Sequence, residues 1–168
     1  MKKIKIVKKA SQTPILLKNG DKYDGVLQVL DKDDKLLVEL HCNTDPTNGY
    51  QGGEVAAGEY IAKRVTRRDG RTAYHLYTQD GSDILPSTRP NPNHNGKMVI
   101  QAVQIHIGGL NWDGSHGCIT IPPAEFADFL AAMGGEKEAT VEILEKIAQQ
   151  EQVSEEAQTT KKTRKKNA

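Results

Sequence analysis

Two stretches of this chain each contain a pair of alternating segments across a short polar turn, a pattern that fits antiparallel sheet and little else. Leu36, Val38 and Leu40 alternate with Leu37, Glu39 and His41, and VLQVL precedes them across DKDDK. A period of two sends successive side chains to opposite faces, so the pair reads as a hairpin. Downstream, EYIAKRVT and RTAYHLYT flank Asp69-Gly70, a dipeptide suited to the positive backbone angles of a tight hairpin turn. Arg67, Arg68 and Arg71 crowd that turn as a solvated tip. MVIQAVQIHI is rich in β-branched residues and apolar on both faces apart from two glutamines and His106, which predicts one strand buried near the sheet centre. ATVEIL, at 139–144, predicts the strand that closes the fold. Against all this stands one amphipathic helix, PPAEFADFLAAMGG, with Phe126, Phe129, Leu130 and Met133 at i, i+3, i+4 and i+7. Pro122 and Pro123 suit its first turn, Glu125 its positive end, and Gly134-Gly135 its stop. The expected class is mixed α/β, mostly β, with one principal helix.

A chain of 168 residues fits a single domain with short extensions. Residues 1–13 read as a basic N-terminal arm or first strand, 14–146 as the folded domain, and 147–168 as a polar then basic tail. That tail runs QQEQVSEEAQTT and then KKTRKKNA, and is expected to be a frayed helix leading into disorder. The 23 Lys and Arg offset the 22 Asp and Glu, so no global field draws in nucleic acid or a membrane surface. Only weak contacts between the basic tail and nucleic acid are left. No apolar stretch approaches the roughly 18 residues of a membrane span. Lys5, Lys8 and Lys9 interrupt the N-terminal apolar run, so no export signal is read and the expected location is cytoplasmic. In a reducing compartment Cys42 and Cys118 are expected as free thiols. The segment GSDILPSTRPNPNHNG reads as a long loop bordering a site.

The chemistry is concentrated in IHIGGLNWDGSHGCITIPP. A thiol nucleophile needs a base to take its proton and amide donors where an oxyanion forms, and glycines let backbone amides turn toward one point. Cys118, ahead of the helix, is expected to have a lowered pKa, with His106 returning beside it through the loop from Gly108 to Gly114. Two other readings of the same residues stay open. His106, His116 and Cys118, with His94 or His75 as a fourth ligand, would make a zinc site, although no CxxC, HxH or HExxH pair is present. Alternatively, His106 is a hydrogen-bonded core histidine and Cys118 a small buried residue, which accounts poorly for Ser115-His116-Gly117-Cys118. Elsewhere, His41 and Cys42 are strand neighbours that point to opposite faces, His75 is a strand residue, His94 a surface residue and Tyr60 a core residue. Trp112 and Asp113 sit in the loop between the two histidines.

Over residues 24–144 the chain resembles the L,D-transpeptidase catalytic domain, the YkuD-like fold. The shared order is the hairpin VLQVLDKDDKLLVELHC, the segment EVAAGEYIAK, a strand ending in His106, a glycine-containing loop, Ser115-His116-Gly117-Cys118-Ile119, and then a helix. The resemblance implies a β-sandwich with one principal helix after a catalytic cysteine. It carries over Cys118 as nucleophile and His106 as its base, oriented by a backbone carbonyl. Ser115, His116 and Gly117 then frame the pocket, with the Gly117 and Cys118 amides as oxyanion donors. Gly108, Gly109, Trp112 and Thr120 become substrate contacts, and no metal or cofactor is implied. The implied substrate is a peptidoglycan stem peptide, so the site would work in the periplasm or wall, reached by lysis or dedicated secretion. Thr120 stands where the family has Arg or Asn, which predicts altered specificity. A wall-binding or structural module without turnover is the rival from another class, and a His/Cys zinc hydrolase a weaker one.

Overall fold

The structure, a computed structural model, describes residues 1–45 and 53–146. The chain runs β1 (Lys2–Val7), β2 (Ile15–Leu16), β3 (Lys22–Tyr23), β4 (Gly25–Leu30), β5 (Leu36–Cys42), β6 (Gly58–Thr66), β7 (Thr72–Tyr77), β8 (Ile84–Asn91), β9 (Lys97–Gln101), β10 (Gln104–Ile107), β11 (Ile119–Ile121), α1 (Pro123–Met133) and β12 (Glu138–Leu144). Eight strands form one mixed sheet in the order β11, β10, β7, β6, β12, β1, β4, β5. A bridge between Asn43, just beyond β5, and Thr120 of β11 ties the two edges, with amide-to-carbonyl bonds of 2.8 and 3.1 Å. The result is a mostly-β protein with one helix, its sheet nearly closed into a barrel.

Alternation builds the core as the sequence expects. Ile4 and Ile6, Leu27 and Val29, Tyr60 and Ala62, and Val141 and Ile143 all point inward and are nearly inaccessible to solvent. Helix α1 adds Phe126, Phe129 and Met133 to the same cluster, and Phe129 meets Tyr74 edge-on at 5.7 Å. Gly134, at φ 60°, ends the helix in the left-handed conformation, its amide bonded to the Leu130 carbonyl. Both expected hairpins form, as β4–β5 and β6–β7, and Gly70 takes φ 84° in the second turn.

Other expectations are corrected. The proline-rich stretch expected as loop is largely strand β8, paired with β9 as a separate ribbon and followed by a 3₁₀ turn at Pro92–His94. Prolines lack the amide a ladder requires, and the register accordingly shifts between Pro86 and Asn91. MVIQAVQIHI is two strands, broken at Ala102 with φ 59°, and its second half lies next to the sheet edge. Strand β12 closes no edge but lies mid-sheet between β6 and β1, which places the N-terminal segment in the sheet interior. Two stacked sheets are not what the eight strands make, since a single curved sheet contains them all. The expected tail, 147–168, lies outside the described residues. Among the described residues no helix is long and apolar enough to cross a membrane.

Candidate functional site

His106 lies on β10, and Cys118 ends the loop that leads into the neighbouring strand β11. In the parallel pairing of β10 with β11, His106 lies opposite Thr120, and Cys118 sits immediately before β11. His106 is 4% exposed, and its Nδ1–H donates to the carbonyl of Ile107 at 2.7 Å. That bond fixes the tautomer and leaves a lone pair on Nε2. Burial pushes the His106 imidazole down to about 4, so it is neutral at neutral pH. The Cys118 thiol is half-buried and is pushed up by desolvation, against the opposing effect of the Gln104 amide.

The lowered thiol pKa expected from a position ahead of the helix is therefore not found. Strand β11 separates Cys118 from α1, so the helix terminus does not act on the sulfur directly. The resting pair is a neutral thiol and a neutral imidazole rather than an ion pair. Around the sulfur, the Gln104 amide donates to Sγ at 3.4 Å, and the thiol faces the Ala102 carbonyl at 3.7 Å. Among the hydrogen bonds of the described residues, those are the thiol's partners, and the Ile107 carbonyl is the imidazole's.

The loop between the strands is held by its own polar groups. Ser115 Oγ donates to the Cys118 carbonyl at 2.7 Å and accepts the Gly117 amide at 3.1 Å. The Gly117 amide, expected as an oxyanion donor, is thus engaged within the loop. Asp113 accepts the Ser115 amide at 2.9 Å, and its own amide donates to Asp21 at 3.0 Å. Burial first, and then the neighbouring Asp21 charge, push the Asp113 carboxyl up to about 6. Tyr23 of β3 donates to the Gly109 carbonyl at 2.7 Å, while the Gly108 amide bonds to the Ile121 carbonyl at 2.8 Å.

Of the expected substrate contacts, Gly108 and Gly109 thus use backbone groups to hold the loop. Thr120 is fully buried, its hydroxyl without a hydrogen-bond partner. Trp112 fits the expectation better: it is 38% exposed and lies 5.4 Å from the His116 ring, an aromatic pair at the surface. Residues 102 and 104, which touch the sulfur, were missed because nothing in their types marks them. Cys42 is fully buried, and desolvation raises its thiol far above the ordinary range.

Among the described residues no group of three or more His, Cys, Asp or Glu side chains is arranged to hold a metal ion, and His106, His116 and Cys118 form no such group. A groove of ≈ 720 Å³ lies elsewhere, over β1, β4, β6 and β12 between Lys3, Lys5, Gln28 and Glu142, and its lining holds no cysteine, serine or histidine. The geometry defines a barrel-like, mostly-β domain with a tautomerically fixed imidazole on β10 and a half-buried thiol at the end of the loop leading into β11. Compared with protein-family models, with curated proteins and with solved structures, the chain has no match in any of the three.

Proposed function

We propose that the protein is a cysteine-dependent acyltransferase or peptidase of the L,D-transpeptidase kind, acting on peptidoglycan stem peptides. The observation that carries the reading is the His106 Nδ1–H bond to the Ile107 carbonyl, which leaves Nε2 as the basic nitrogen on the strand next to β11, which Cys118 directly precedes. A backbone carbonyl orients the imidazole here, in the way the resemblance implies. His106 takes the Cys118 proton, and the sulfur attacks the carbonyl carbon of the third stem residue. The tetrahedral oxyanion is met by the Cys118 amide, and its collapse breaks the amide bond. His106 returns its proton to the departing D-alanine amine, leaving a thioester on Cys118. Attack by an amine then gives a cross-link, and attack by water a shortened peptide. Because both groups rest neutral, the proton moves as the sulfur attacks rather than beforehand. The YkuD-like fold belongs to the same proposal, supported by the order of hairpins, thiol loop and helix.

Mass spectrometry of tetrapeptide muropeptides incubated with wild type and with Cys118→Ala tests this reading. The expected outcome is loss of D-alanine, or a new cross-link, in wild type only, with an acyl adduct on Cys118. Muropeptide binding that survives Cys118→Ala, with turnover in neither protein, would replace the enzyme with a wall-binding module.

A further inference from the structure

The two groups that touch the Cys118 sulfur come from a single bend. Ala102 supplies a carbonyl and Gln104 an amide, and the bend between β9 and β10 holds Ala102 at φ 59°, a conformation that costs a non-glycine residue about 1 kcal/mol or more. Such a bend persists only where its surroundings determine it. The residues flanking it are both tethered by side chain to one pair. Gln101 Nε2 donates to Asp83 Oδ1 at 3.1 Å, and Gln104 Nε2 lies 3.2 Å from His75 Nδ1. His75 Nε2 in turn faces Asp83 Oδ2 at 3.3 Å, and its ring packs on Tyr77 at 4.9 Å. With Asp83 accepting at Nε2, the Nδ1 lone pair receives the Gln104 amide, so a single tautomer satisfies the whole chain.

We propose that Asp83 and His75 are positioning residues for the nucleophile: they lock the bend that presents the Gln104 amide and the Ala102 carbonyl to the Cys118 sulfur. Asp83 stands just after the Thr78–Ser82 turn, and His75 on β7, so the lock joins three parts of the chain around one sulfur. The inference rests on the acyl-transfer reading only in taking Cys118 as the reactive group. Once the thiol loses its proton, the Gln104 amide is the contact that stabilises the thiolate, and the lock keeps that amide in place.

The test is the pH profile of Cys118 alkylation by iodoacetamide, with the labelled residue located by mass spectrometry and folding checked by circular dichroism. Cys42, fully buried, serves as the unlabelled internal reference. The Arg67 charge, which favours the Cys118 thiolate, is the same in every variant. His75→Leu and Asp83→Ala are expected to move the profile to higher pH and slow labelling at pH 7 about threefold or more, whereas His75→Gln, whose carboxamide offers both an acceptor and a donor, stays within about twofold of wild type. Folded His75→Leu and Asp83→Ala proteins whose profiles superimpose on wild type would overturn the proposal. Should His75→Leu fail to fold, Asp83→Ala, at a half-buried position beyond the Thr78–Ser82 turn, decides alone. A shifted profile in a protein that turns over no muropeptide would leave the positioning role standing and the substrate assignment refuted.

Discussion

Asp113 and His106 titrate in overlapping ranges with opposite consequences for stability. The Asp113 carboxyl, raised from 3.8 to about 6, favours the fold in its protonated form, so its contribution is complete below pH 3.8 and is lost as pH rises through about 6. His106, lowered from 6.5 to about 4, favours the fold when neutral, so its contribution is complete above pH 6.5 and is lost as pH falls through about 4. Asp113→Asn keeps an acceptor for the Ser115 amide and removes a buried charge, and it should stabilise the protein above pH 6 relative to wild type. His106→Gln should instead flatten the acid limb. Urea midpoints between pH 4 and pH 8 would read both effects, and an Asp113→Asn curve parallel to wild type would refute the first. Cys118 and His106 were legible in the sequence because their chemistry sits in one short motif. Ala102, Gln104, His75 and Asp83 were not legible as a unit, because β7, β10, the bend before β10 and the segment after the Thr78–Ser82 turn must assemble before they meet.

At the level of elements, the helix does more than its apolar stripe announces. Glu125, expected only to complement the helix dipole, reaches β5. One carboxylate oxygen accepts the His41 amide at 2.7 Å, and the other lies 2.8 Å from His41 Nδ1. The far ring nitrogen of His41 meets the Thr13 carbonyl at 2.8 Å, so a single side chain links α1, β5 and the segment after β1. Glu125→Ala should cost about 1–3 kcal/mol, seen as a lower Tm with unchanged Cys118 alkylation. The β2–β3 pair supports the thiol loop in a comparable way. A Cβ on Gly108 would collide with the Tyr23 hydroxyl and come within 2.8 Å of the Asp113 carbonyl oxygen. Gly108→Ala should therefore destabilise by about 1–3 kcal/mol and, unlike Glu125→Ala, also alter labelling of Cys118. The helix was readable from four apolar residues at helical spacing. Strand β8 was hidden by prolines that imitate a loop, and β11 by being only three residues long.

On the scale of the whole molecule, the sequence showed hairpins but not their arrangement, because hairpin register is local whereas the order of strands is fixed by side chains distant along the chain. β1 pairs with β12 in parallel, from Lys2 opposite Ala139 to Val7 opposite Leu144, and with β4 on its other side. Deleting residues 1–7 would separate β12 from β4 and remove Ile4 and Ile6 from the core, and the truncated protein should show neither a cooperative urea transition nor protected amides in β12. Retained protection there would show that the sheet tolerates an open middle. The same pairing sets a timetable for synthesis. Strand β1 is made long before its parallel neighbour β12, and at roughly 5–20 residues per second that wait lasts many seconds. Throughout it the apolar side of β1 lacks one of its two neighbouring strands, so the nascent chain is the form most exposed to chaperones.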